Sequence, residues 1–144
     1  AMGNTIPIAM DGTYKFNQLG LHAVTSPMWE TQEAFARTLK KGDVFFAISA
    51  SGASKRLIRM AKIVKKQGGV TVAVTNQAKS PITEICDHVI ITATREHIFY
   101  DQVSFTRMAA MAVIDTLFML ILSMKNDFFE NVAEHERSVI EEKL

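Results

Sequence analysis

The apolar positions fall into two kinds of block along the chain. Val44-Phe45-Phe46-Ala47-Ile48 is a continuous apolar run with no polar alternation, the pattern of a strand covered on both faces of a parallel sheet. Val70-Thr71-Val72-Ala73-Val74 and His88-Val89-Ile90-Ile91 read as further strands, and Leu21-His22-Ala23-Val24 as a short one. The blocks between them follow helical spacing. Thr5 to Leu19 predicts a helix with Thr5 as cap, Pro7 in its first turn and Gly20 as its stop. Ser26-Pro27 opens a second helix, with Trp29, Phe35 and Leu39 on one face, and Lys41-Gly42-Asp43 breaks it. From Ser54 a helix runs to Gln67, with Leu57, Ile58, Ala61 and Ile63-Val64 apolar and lysines elsewhere, ended by Gly68-Gly69. Ser80-Pro81 predicts a short helix through Ile85, Phe105 to Met124 a long one, and Asp127 to Leu144 a last one.

Strands alternating with helices predict an α/β fold, a three-layer αβα sandwich around a parallel sheet with right-handed crossovers. No Pro/Gly-rich linker or fixed-period repeat divides the 144 residues, so residues 1–144 read as one domain. The most apolar stretch, Met108 to Leu122, is shorter than the roughly 20 residues of a membrane span and carries Asp115 near its middle. It reads as a helix buried in the core or at a subunit interface, which predicts a homodimer or higher homo-oligomer and no membrane partner.

Composition narrows the function. A formal net charge of +1 lacks the basic excess of a general nucleic-acid binder. The lysines and arginines at 40–41, 55–59 and 62–66 read mostly as a solvated helix face. One cysteine, Cys86, excludes an internal disulfide and suits a reducing, cytoplasmic location. The first residues lack a basic region followed by an apolar stretch, so no signal peptide is expected.

In an open parallel sheet, ligands bind beyond the carboxyl ends of the strands. The loop after Ile48 therefore leads the search. It carries Ser49, Ser51 and Ser54 with Gly52 among them, and a helix starts near Ser54. The first amides of that helix have no helical partner and its dipole is positive there, which suits a phosphate. Serine hydroxyls add neutral donors, glycine allows close approach, and no metal or cofactor is called for. The loop is neither the Walker pattern nor the dinucleotide fingerprint. Taken alone, it is equally an ordinary polar turn with a serine cap.

The run Asp43 to Ser54, an apolar strand followed by Ser-x-Ser-Gly-x-Ser and a helix, resembles the signature of sugar isomerase (SIS) domains. The resemblance continues through Val72-Ala73-Val74-Thr75-Asn76, Ser80-Pro81 and Asp87-His88-Val89-Ile90-Ile91. It implies a flavodoxin-like SIS fold. The family places an apolar strand ahead of a Gly-x-Gly-x-Ser-like loop. Gly3-Asn4-Thr5 resembles the end of that loop, and the strand itself is missing from this sequence. Thr106-Arg107-Met108 and Val113-Ile114-Asp115-Thr116-Leu117 resemble the long helix of RpiR-type transcriptional regulators, whose separate N-terminal helix-turn-helix domain binds DNA. The resemblance implies a phosphosugar-sensing effector domain, with DNA contacted only through that absent domain. It implies Ser49, Ser51 and Ser54 on the phosphate, Gly52 and Ala53 as amide donors, and Asn4 and Thr5 facing the sugar, with Thr75 at the end of its strand pointing toward the same crevice.

The competing reading is an aldose/ketose sugar-phosphate isomerase, which needs a base to move a proton between adjacent carbons. Glu84, His88, Glu96 and His97 are the candidates, but adjacent strand residues such as Glu96 and His97 point to opposite faces. His22 and His135 show no partner in the sequence. With no matched acid and base, sensing without catalysis is the expectation. A bare dimerisation module is the third reading.

Overall fold

A computed structural model of the chain describes residues 1–92, 106–124 and 126–142. A 3-10 turn, Gly3–Thr5, leads into α1 (Ile6–Gln18). Then come α2 (Trp29–Thr38), β1 (Val44–Ile48), α3 (Lys55–Lys66), β2 (Val70–Thr75), β3 (His88–Ile91), α4 (Thr106–Leu122) and α5 (Asn126–Glu141). The three strands are parallel in the order β1-β2-β3. Val44 stands opposite Val70 and Ile48 opposite Val74, while Val72 faces His88 and Thr75 faces Ile91.

Alternate strand positions feed two cores. Phe45, Ala47, Ala73 and Val89 pack with Ala36 of α2 and with Leu57, Met60, Ala61 and Val64 of α3. Phe46, Ile48, Val74 and Ile90 pack with Ile8 of α1 and with Ala110 and Ile114 of α4. Helices on both faces explain why β1 reads as an unbroken apolar run and why β2 and β3 are mostly apolar. The result is the three-layer αβα architecture of a flavodoxin-like fold. Because each helix runs back against the parallel strands, the first turns of α1, α2 and α3 gather at the carboxyl end of the sheet.

Two sequence expectations are corrected, and α2 buries a polar residue the sequence did not point to. Leu21–Val24 is not a strand: its backbone pairs with no strand among the described residues, and the Asn17 amide instead donates to the Ala23 carbonyl and accepts from its N–H, both at 3.0 Å. Residues 81–85 form consecutive turns, not a helix. The Ile82 N–H donates to the Gly52 carbonyl at 3.0 Å, so a group a helix would not hold is used to tie this segment to the loop after β1. On α2 the buried positions are Gln32 and Ala36, with Trp29 and Phe35 half-buried. Gln32 is inside because its side chain accepts from the Ala1 amine and donates to the Ala1 and Ser26 carbonyls, satisfying a polar group that burial would otherwise penalise.

At the opposite end of the sheet, Asp87 joins β2, β3 and α3. Its carboxylate accepts from the Thr71 N–H at 2.9 Å and hydroxyl at 2.8 Å and pairs with Lys65 at 2.9 Å. The Lys65 ammonium, then the Thr71 amide and hydroxyl, hold the Asp87 carboxyl well below the usual carboxylate range. Burial pushes the neighbouring Cys86 thiol up. Among the described residues no single helix is long and apolar enough to cross a membrane.

Candidate functional site

The loop from Ser49 to Ser54 crosses the carboxyl end of β1 and delivers the chain into α3. Ser49 is buried, and its N–H donates to the Val74 carbonyl at 2.9 Å, continuing the β1–β2 ladder by one residue. The chain then turns back, with the Gly52 N–H on the Ser49 carbonyl at 3.1 Å. Gly52 has φ +63°, a conformation in which a side chain is strained. It is also closely surrounded: a Cβ there would lie 2.1 Å from Ser80 Oγ, 2.6 Å from Ser80 Cβ and 3.1 Å from Thr75 Oγ1. Glycine at this position is demanded by both backbone and packing.

Thr75 ends β2 beneath the turn. It is 1% exposed; its hydroxyl donates to the Ala50 carbonyl at 3.2 Å and accepts from the Gln77 N–H at 3.3 Å. The Asn76 N–H also reaches the Ala50 carbonyl, at 3.2 Å. Thr5 holds the other margin, its hydroxyl lying 3.1 Å from the Ile48 carbonyl and 2.9 Å from the Met2 carbonyl. Thus Ser49, Gly52, Thr75 and Thr5 form a buried frame. Asn4, Ser51 and Ala53 are exposed and Ser54 is half-buried.

The groups facing outward form a small set of donors. Ser54 is the N-cap of α3 with extended backbone (φ −65°, ψ 109°), and its side chain makes no cap hydrogen bond. Ser51 Oγ accepts from the Ala53 N–H at a long 3.3 Å. Of the two amides considered from sequence, that of Gly52 is spent inside the turn, and only Ala53 stands at the lip. The first turn of α3 contains no acidic residue, so the dipole there is not offset by a carboxylate of its own helix.

Beside this lip, a narrow cleft is lined by Thr5, Ile48, Ala50, Val74, Asn76, Thr92 and Ala110. Asn76 and Thr92, which face one another through a 2.6 Å Thr92 Oγ1–Asn76 Oδ1 hydrogen bond, are not among the sequence candidates. What marks them is position: each is the first residue beyond the carboxyl end of its strand, β2 or β3. The described lining contains no carboxylate or imidazole. Glu84 and His88 are exposed, and His88 opens β3 at the end remote from the cleft. Glu96 and His97 lie outside the described residues. His135 does have a partner, the Tyr14 hydroxyl at 2.9 Å.

Comparison with known proteins agrees with the fold. Residues 1–120 match the SIS domain family. An uncharacterized HTH-type transcriptional regulator of Caldanaerobacter subterraneus subsp. tengcongensis is 32% identical over 131 residues, covering 88% of this chain and 46% of the regulator. The chain thus spans about half the length of that relative. Among solved structures, the Vibrio vulnificus NanR protein complexed with ManNAc-6P superimposes with a TM-score of 0.86 at 22% identity, over 97% of this chain and 53% of that one. The sugar isomerase domain of an RpiR transcription factor from Sphaerobacter thermophilus gives 0.77 at 21% identity, over 94% and 75%.

Proposed function

The chain belongs to the SIS domain family, and from that premise we propose that residues 1–144 are a single sugar-phosphate-binding domain, the effector domain of an RpiR-type transcriptional regulator. The observation that carries this reading is the Ser54 hydroxyl. It sits half-buried at the N-cap of α3, where a serine ordinarily bonds its own helix, yet it makes no such bond. With Ser51 and the Ala53 amide beside it, and the helix dipole behind it, it forms a set of donors suited to phosphate oxygens. The sugar would extend over the cleft toward Asn4, Asn76 and Thr92. Thr5 and Thr75, whose hydroxyls are engaged with backbone, act from behind by fixing the loop.

The regulator reading draws support from the relative's HTH-type description and from its length, which leaves room for a DNA-binding domain outside this sequence. Binding of a phosphorylated amino sugar by the similarly folded NanR supports the ligand class. Sensing in preference to isomerisation is supported by the HTH-type transcriptional regulator description of the 32% identical relative. A homodimer is supported by α4: Ala110 and Ile114 are buried against α1 and the sheet, while Met108, Met119 and Leu120 are 73%, 60% and 56% exposed, an apolar surface that a partner subunit would cover.

Isothermal calorimetry with N-acetylmannosamine 6-phosphate and with hexose and pentose phosphates tests the site. One or more should bind, and the unphosphorylated sugar should not. Ser51→Ala and Ser54→Ala should each weaken binding by about 1.5–3 kcal/mol, the scale of a hydrogen bond to a charged group, with the fold unchanged. Wild-type affinity in both variants and in the double variant would refute the assignment. Turnover of any of these sugar phosphates would replace sensing by catalysis.

A further inference from the structure

The first turn of α3 holds a cation whose N–H groups meet no hydrogen-bond partner among the described residues. Lys55 and Arg56 open this helix, where the dipole disfavours positive charge. By contrast, α2 has Glu30 in its first turn and α5 has Asp127. Arg56 is exposed, and its guanidinium rests 4.5 Å from the centroid of the Trp29 ring. The other arginines of the α2–α3 seam, Arg37 and Arg59, share the Glu33 carboxylate at 2.7 Å and 3.0 Å. Among the described residues no carboxylate pairs with Arg56. The ring attracts the guanidinium as a cation–π contact, and among the described residues no hydrogen bond or ion pair takes up the Arg56 N–H donors. The indole thus holds a planar fork, the geometry that grips a phosphate through two parallel bonds, without using it.

Its place in the fold matches the site. Arg56 follows Ser54 by two residues, about 3 Å along the helix axis but about 200° around it, so its long side chain has to reach back over the first turn to meet a ligand at the loop. Trp29 is the first residue of α2, and one turn later Gln32 grips Ala1. The same N-terminal segment is fastened by Thr5 to the Ile48 carbonyl at the base of the cradle. The first turns of α2 and α3, residues 1–5 and the Ser49–Ser54 loop are therefore neighbours at one end of the sheet. We propose that Arg56, held ready on Trp29, is an anion-recognising residue of this site that clamps the phosphate received by Ser51 and Ser54. The inference rests on the sugar-phosphate reading. A bound phosphate would supply the negative charge that the first turn of α3 lacks, offsetting the two cations placed against the dipole.

Trp29 is the single tryptophan of the chain, so its emission reports on Arg56. The test is titration of the 144-residue chain with whichever sugar phosphate binds in calorimetry. Trp29 emission should change saturably with the calorimetric midpoint. Arg56→Gln should weaken binding about tenfold or more. Lys62→Gln, the same charge change at an exposed position farther along the same helix, should stay within twofold. An Arg56→Gln affinity within twofold of wild type, an equal loss in Lys62→Gln, or unchanged Trp29 emission at saturation overturns the role of Arg56. If those results accompany normal weakening in Ser51→Ala, the sugar-phosphate reading survives; absence of all sugar-phosphate binding removes both.

Discussion

Replacing Gly52 with alanine sets the loop's two constraints against one methyl group. The backbone there has φ +63°, which costs a residue with a side chain about 1–2 kcal/mol. The added Cβ would also lie 2.1 Å from Ser80 Oγ and 2.6 Å from Ser80 Cβ, well inside contact distance. Ser80 is 6% exposed and begins the segment whose Ile82 N–H is fixed to the Gly52 carbonyl, so it has little room to retreat. Overpacking of this kind costs about 1–3 kcal/mol. Together the two terms predict a loss of about 2–5 kcal/mol, a large share of the ~5–15 kcal/mol that holds a typical domain together. Urea denaturation followed by Trp29 emission measures it. A double-mutant cycle separates the terms, because Ser80→Gly removes both close atoms but leaves φ unchanged. The cycle should return a favourable coupling of about 1–3 kcal/mol between Gly52→Ala and Ser80→Gly. A Gly52→Ala loss below 1 kcal/mol, or no coupling, would refute the packing argument. Sugar-phosphate binding should fall in Gly52→Ala and recover in the double variant, because the lip of the cradle moves with the turn.

The remaining predictions concern the frame, the far end of the sheet and assembly. Thr75→Val, which removes the hydroxyl between the Ala50 carbonyl and the Gln77 N–H, should destabilise by about 1–3 kcal/mol and weaken ligand binding; unchanged urea midpoints and affinity would count against Thr75 as the support of the loop. Asp87 is held below the usual carboxylate range, so its stabilisation is fully present above that range and lost as pH falls through it toward the folded-state value. Melting temperatures of wild type and Asp87→Asn should accordingly differ most near pH 7 and converge in acid; a difference that does not change with pH would exclude the ionised carboxylate as the cause. Sedimentation at micromolar concentration should show a dimer, reduced to a 16.0 kDa monomer by Met119→Lys with Leu120→Lys. A wild-type chain found only as a monomer would remove the interface assigned to α4.

Strand positions and helix type were legible in the sequence because each follows from local geometry. Val44–Ile48 is apolar throughout and Val70–Thr75 is mostly so, with Thr71 and Thr75 the polar exceptions, since helices cover both faces of the sheet. Ser54 through Lys66 carries the helical period with lysines outward, and Gly68-Gly69 closes it. The location of the serine loop at the carboxyl end of β1 follows from the same local pattern. What tertiary structure decided were matters of partnership. Leu21–Val24 has strand-like residues but no strand beside it among those described, and backbone groups follow available partners, here Asn17. The segment 81–85 has a cap and a proline, yet its Ile82 N–H serves the Gly52 carbonyl. Trp29 and Phe35 are the larger apolar residues of α2, yet Gln32 is buried because it holds Ala1. Nor does composition reveal that Thr75 and Thr5 are engaged with backbone while Ser54 is not, that Asn76 and Thr92 meet, or that Arg56 lies on Trp29. A hydroxyl has the same donor and acceptor wherever it occurs in a sequence. Whether they are already satisfied depends on atoms brought near by chain tens of residues away, and only folding brings them there.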